Sequence, residues 1–227
     1  MTLSPPRPRT RVFDRRVSFD ERSRNFPIRA ALAPTAKHRS YTWAPGPTLD
    51  QGQQGACVGF AWAHELAARP AVIDRVTAEF ARTKIYLEAQ KIDQWPGEDY
   101  EGTSVIAAAK IIQQLGAMNE YRWAFGLEDL RLAVGNHGPA VLGINWYEGM
   151  EETTNGWIKV TGSNLGGHSV LCFGVNHNEK YFKIQNSWGP AWGINGGLCR
   201  ISFDDMDRLL HEDGEACIPT ARKRVIL

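Results

Sequence analysis

The chain has 227 residues, 43% of them hydrophobic and 22% charged, with a formal net charge of +1. That balance describes an ordinary folded protein and excludes a fibrous, low-complexity or disulfide-dense chain. No apolar run approaches the roughly 20 residues that span a bilayer, and Met1-Thr2-Leu3-Ser4-Pro5-Pro6-Arg7 lacks the apolar stretch of a secretory signal, so no membrane partner is expected and the cytoplasm is the expected compartment.

The near-neutral total hides an asymmetry. Residues 1–40 carry nine arginines and Lys37 against Asp14, Asp20 and Glu21, a local balance of +7, so the remainder is acidic. Residues 1–38 read as an arm rather than a domain, because Val12, Phe13, Val17, Phe19, Phe26, Ile28 and Leu32 show no sustained helical period. Three readings stand: a disordered or loosely docked tail, an inhibitory or positioning segment lying on the acidic body, or an anchor for an acidic partner or larger assembly. The arm lacks the aromatic-plus-basic platform of a nucleic-acid module, which argues against that partner.

Residues 39–227 form the body. Pro45, Gly46, Pro47, Gly52 and Gly55 punctuate a loop, and a helix opens at Cys57 and stops before Pro70. A second helix fits Val76–Gln90, and a third fits Thr103–Leu115, with Thr103 or Ser104 as cap and Gly116 as stop. Beyond residue 137 the texture becomes stranded: Ala140–Trp146, Gly156–Val160, Ser169–Val175, Tyr181–Gln185 and Leu198–Phe203 are short and apolar or alternating, with turns at Asn155-Gly156 and Asn195-Gly196. The order implies an α+β fold with a helical lobe over about 50–130 and a stranded lobe over about 131–220. Of the four cysteines, Cys172 and Cys199 sit in strand-like runs and read as buried free thiols, as a reducing compartment favours.

Three separated segments carry chemistry. In the first, Asp50-Gln51-Gly52-Gln53-Gln54-Gly55-Ala56-Cys57, a Gly-rich loop delivers a cysteine to a helix N-terminus, where the helix dipole favours thiolate. Gln51 can offer a side-chain amide, and Cys57 its N–H, to an oxyanion, with Gln53 and Gln54 as competitors for that role. In the second, Gly166-Gly167-His168-Ser169-Val170, a histidine starts an apolar strand. In the third, Lys183-Ile184-Gln185-Asn186-Ser187-Trp188-Gly189, an asparagine can accept the imidazole N–H and Trp188 can shield that bond. His64 lies two helical turns from Cys57, roughly 10 Å away and beyond hydrogen-bond reach. His64-Glu65 also fails as a zinc-peptidase helix, because position 68 is alanine. His137, His177 and His211 lie in turn-like or polar contexts and read as solvated.

These segments, with Trp192-Gly193 and Asn195-Gly196-Gly197 extending the third, resemble the papain-like cysteine peptidases from about Tyr41 to about Cys217. The resemblance implies a two-lobed papain-like fold with a cleft between lobes. It implies Cys57 as nucleophile, His168 as general base and acid, Asn186 as its orienter and Gln51 as oxyanion donor. It further implies that Gly102, Gly167 and Trp188 meet substrate, that no metal or organic cofactor is used, and that the substrate is a peptide or protein. Gln54 stands where the family usually has a disulfide cysteine and Val58 where it usually has tryptophan. These departures fit a compact, disulfide-free bacterial or phage version, for which a virion association is a second expected location. The same residues would also serve an amidase, isopeptidase or transferase, and a non-catalytic assembly protein anchored by the arm is the reading from another class.

Overall fold

The computed structural model describes residues 11–70, 72–95 and 100–223; the first ten residues of the arm, with Pro5, Pro6 and Pro8, lie outside them. In chain order, two 3-10 turns (Glu21–Asn25 and Ile28–Ala31) lead to β1 (Tyr41–Thr42) and α1 (Cys57–Ala67). Next come α2 (Ala78–Phe80), a π-helical segment (Ala81–Tyr86), α3 (Leu87–Ile92), α4 (Val105–Gln114), β2 (Met118–Trp123) and α5 (Leu127–Asn136). The chain closes with β3 (Ala140–Tyr147), β4 (Asn164–Asn176), β5 (Tyr181–Gln185), β6 (Leu198–Ser202), α6 (Phe203–His211) and β7 (Glu215–Arg222).

The helix that opens at Cys57 is buried on every side, from Cys57 through Leu66, as a helix apolar all round must be. Gly59 permits this, since a Cβ there would lie 2.7 Å from the Ala81 carbonyl oxygen of the π segment. The second helix starts later than its apolar pattern predicts, at Ala78, because the Thr77 side chain accepts the Phe80 N–H. The third is capped by Ser104, which accepts the Ala107 N–H.

The sheet order is β2-β7-β3-β4-β5-β6, with β1 added against β4, and every pairing is antiparallel. Its alternating faces separate two cores. Val141, Leu171, Phe173 and Cys217 face α1 and α4. Leu142, Val170, Cys172 and Ile218 join Leu130 of α5 and Met206 of α6 on the other side. The fold is α+β, as expected, but strand β2 lies within the helical half, α5 straddles the boundary and α6 lies within the stranded half. Gly156–Val160 is not a strand: after the Asn155-Gly156 turn, Trp157 makes only isolated bridges, to Thr154 and Arg200. Phe203 leaves the strand because the Ser202 hydroxyl accepts the Asp205 N–H and starts α6, whose first turn is acidic. All four cysteines are free and buried. Among the described residues no helix is long and apolar enough to cross a membrane.

Candidate active site

Cys57 is fully buried at the first turn of α1, and its sulfur lies within hydrogen-bond reach of the backbone N–H groups of Ser169, Asp14 and Val58. Ser169 directly follows His168 in β4, so the contact sets the thiol against the histidine's end of that strand. β4 holds His168 opposite Ile144 of β3, fully buried. His168 Nε2 lies 2.8 Å from Asn186 Oδ1. That oxygen can only accept, so Nε2 carries the proton and Nδ1 keeps the lone pair. Among the described residues Nδ1 has no hydrogen-bond partner. Asn186 follows β5, and its Oδ1 also takes the Ser187 N–H at 2.8 Å, which fixes the amide's direction.

The indole of Trp188 lies over the imidazole, with centroids 5.0 Å apart and planes 33° apart, and Trp146 meets the ring edge-on at 4.8 Å. Both exclude water from the His168–Asn186 bond, where a low dielectric strengthens it. Gln51 is buried while Gln53 is exposed. Gln51 Oε1 accepts the Ser187 hydroxyl at 2.6 Å, and its Nε2 donates to the Gln54 carbonyl at 3.0 Å. These bonds lock Gln51 to the segment after Asn186 and leave one amide proton for an incoming oxygen. His64, set aside as a partner for Cys57, instead accepts the Leu49 N–H at 3.0 Å and holds the loop that leads to the cysteine. His137 and His177 are partly buried rather than solvated; the former faces the Pro219 carbonyl and the latter stacks on His38.

The arm does not hang free. Its residues 11–16 run through the cleft and are held there by main-chain bonds. Arg15 N–H donates to the Gly167 carbonyl at 2.9 Å, and Arg16 N–H to that of Thr103 at 3.0 Å. A Cβ on Gly102 would fall 1.9 Å from the Asp14 carbonyl oxygen, and one on Gly167 2.2 Å from that of Arg15. Gly102 also has φ +98, a left-handed conformation that glycine adopts without strain. Phe13 packs 5.9 Å from both His168 and Trp188, Arg11 lies 4.0 Å over the Trp188 ring, and Arg16 lies 3.8 Å over Tyr100. The expected substrate-contacting residues Gly102, Gly167 and Trp188 are therefore brought together, and here each touches the arm.

This closure sets the electrostatics. Burial pushes the Cys57 thiol up to about 11, outweighing the N–H groups that favour thiolate. Burial likewise holds His168 down to about 4, against the opposing pull of the Asn186 bond. Thiol and imidazole are both neutral across the intervening pH range. The helix-dipole argument alone points the other way; it fails here because desolvation of the closed cleft is the larger effect.

Sequence reasoning did not find Trp146, the Ser169 N–H, Asp14 or Glu215, a buried carboxylate facing Arg15. No motif marks them; only the inhibitory reading of the arm pointed toward Asp14 and Arg15.

An α1 cysteine, a β4 histidine and an asparagine after β5 are set at the junction of helical core and antiparallel sheet. The profile of the papain family cysteine proteases matches residues 98–208. An uncharacterized peptidase C1-like protein of Acanthamoeba polyphaga mimivirus is 25% identical over 193 residues, covering 65% of this chain and 62% of that protein. The cathepsin B-like cysteine proteinase 5 of Caenorhabditis elegans is 33% identical over 73 residues, 31% of this chain and 21% of that one. The chain thus spans less than two thirds of the length of these curated relatives. Among solved structures, xylellain, a cysteine protease from Xylella fastidiosa, superposes with a TM-score of 0.67 at 16% identity, covering 97% of this chain and 100% of that one. Digestive procathepsin L2 of Tenebrio molitor gives 0.62 at 18% identity, covering 96% and 81%. The chain is papain-like, in fold over nearly its whole length and in sequence over the matched segment.

Proposed function

We propose that this chain is a cysteine peptidase whose cleft is closed by its own residues 11–16. When the cleft opens, Nδ1 of His168 takes the Cys57 proton and the sulfur attacks a peptide carbonyl. Gln51 and the Cys57 N–H face the developing oxyanion. His168 then protonates the leaving amine, and water hydrolyses the acyl-enzyme. Asn186 keeps the imidazole in the tautomer this requires, and Trp188 and Trp146 keep water from that bond.

The observation that carries the peptide reading, over an amidase acting on small molecules, is the arm itself. The groove beside Cys57 holds an extended polypeptide through the Gly167 and Thr103 carbonyls. The arm sits there as an inhibitor: its Asp14 N–H faces the sulfur, while the Asp14 carbonyl is turned onto Gly102. Among the described residues three of its arginines are engaged by the body, Arg11 with Glu152, Arg15 with Glu215 and Arg29 with Asp129. That favours the inhibitory segment over an anchor for an outside partner.

The test is hydrolysis of an internally quenched peptide library by the full chain and by Cys57→Ala, with mass-spectrometric mapping of an epoxide probe. Cleavage lost in Cys57→Ala, with the probe on Cys57, is the expected result. Equal cleavage by both proteins would overturn the assignment.

A further inference from the structure

Arg15 is a long cationic side chain with no exposed surface, which is costly unless its surroundings are built for it. It enters a pocket between β3, α4 and the start of β7. Its Nη2 donates to the Gly143 and Asp213 carbonyls, each at 2.7 Å, and lies 3.2 Å from a Glu215 carboxylate oxygen. Glu215 is itself buried, and among the described residues neither of its oxygens has a hydrogen-bond partner. The arm's guanidinium is its ion-pair partner. A carboxylate buried in the body whose ion-pair partner comes from the arm calls for a cationic occupant of the pocket once the arm leaves.

The walls carry the same message. Gly143 sits in the middle of β3, where glycine weakens a strand. A Cβ there would lie 2.5 Å from Arg15 Nε, 2.8 Å from a Val105 methyl and 3.1 Å from Glu215 Oε2, so it would fill the pocket. The strand keeps this space open above an acid.

The pocket's position follows from the arm. Asp14 faces the Cys57 sulfur, and Arg15 is the next residue, its N–H held by the carbonyl of Gly167, which precedes His168. Phe13 lies on the His168 and Trp188 side, where the leaving amine collects its proton, and Arg16 lies on the Thr103 side. The pocket therefore serves the acyl half of a substrate, one residue before the carbonyl that is attacked.

We propose that the pocket floored by Glu215, with the Gly143 and Asp213 carbonyls as further acceptors, selects peptide substrates with a basic side chain, arginine above all, at the residue preceding the scissile one. Arg15 is then the internal occupant that such a substrate replaces. This rests on the peptidase reading above. Carboxylate plus two carbonyls matches the several N–H donors of guanidinium better than the single ammonium of lysine.

The experiment uses the full chain and its Arg15→Ala variant, which vacates the pocket. Two dipeptidyl chloromethyl ketones are compared that differ only in Arg or Leu before a common glycyl ketone. The thiol sulfur displaces chloride to form a thioether, and the thiol proton passes to His168, so labelling reads the pocket without needing peptide hydrolysis. The expected result is a second-order labelling rate of Cys57 roughly tenfold or more higher for the Arg probe, as fits loss of a charged hydrogen bond in the Leu probe. That ratio should collapse toward one in Glu215→Gln. If Arg15→Ala does not fold, the ratio is read on the unaltered chain, where the arm competes equally with both probes. A ratio near or below one, or one that survives Glu215→Gln, overturns the pocket assignment even if peptides are cleaved. An Arg preference without cleavage of any peptide upholds the pocket and overturns the peptidase reading, and failure of both probes to label Cys57 overturns both.

Discussion

Replacing Arg15 by alanine is the sharpest perturbation of the closed cleft. The guanidinium is fully buried, and it meets a carboxylate of 5% side-chain exposure and two carbonyls. Removing one partner of a buried ion pair costs about 3–5 kcal/mol. The lower end applies, because burial already holds Glu215 up to about 7, so it can take a proton when its partner leaves. A loss of about 3 kcal/mol moves the closed-to-open equilibrium by about 150-fold. Alkylation of Cys57 by iodoacetamide at pH 7.5, followed by mass spectrometry, reads that equilibrium directly, and the rate should rise by up to that factor until the open form predominates. Arg24→Ala is the control, since its pair with Glu21 is exposed on both sides and contributes little. A folded Arg15→Ala protein that alkylates within twofold of the parent would refute the gating role of the arm.

Four further outcomes are expected. Cys57→Ala should abolish peptide hydrolysis, whereas Asn186→Ala, which removes one buried acceptor from His168, should lower kcat by about 10–100-fold; a larger loss in Asn186→Ala than in Cys57→Ala would reverse the assigned roles. In the closed parent chain the thiol is neutral below about pH 11, so iodoacetamide labelling at pH 7 should be slower than that of a free cysteine peptide and should climb toward alkaline pH; a plateau reached by pH 7 would contradict this. Gly143→Ala puts a methyl group where Arg15 lies, so it should loosen the arm and cut labelling by the Arg probe; an unchanged rate for both would show that the pocket is elsewhere. His64 is held down to about 3 by burial, below its ordinary 6.5, so the unfolded chain binds the proton first as pH falls. Stability is complete above pH 6.5 and declines below it, by about 2–3 kcal/mol at pH 4.5. Thermal melts of the parent should therefore drop more between pH 7 and 4.5 than those of His64→Gln, and parallel curves would be the contrary result.

Particular elements show how far local pattern reaches. Tyr181–Gln185 is the strand its alternation predicts, residue for residue, and the helix at Cys57 opens where the Gly-rich loop ends. β7 escaped notice because Pro219 interrupts its pattern, yet it pairs with Tyr121 of β2. α6 escaped because its acidic first turn follows a strand without a break; only the Ser202 cap marks it. The expected strand at Gly156–Val160 failed because turn residues and one aromatic do not specify a partner, and against β6 the segment makes a single bridge, Trp157 to Arg200, rather than a ladder.

The sequence by itself determined the chemistry-bearing segments. Cys57 after a glycine loop, His168 at the head of the apolar run within β4 and Asn186 directly after β5 are set by signals a few residues long, and those signals survive whatever packs against them. Only the tertiary structure decided the state of the site. That Arg15 crosses the chain to meet Glu215, that Asp14 faces the sulfur, and that thiol and imidazole are both neutral all depend on which surfaces exclude water together. Burial is a property of the assembled fold, and no periodicity in either partner segment records it.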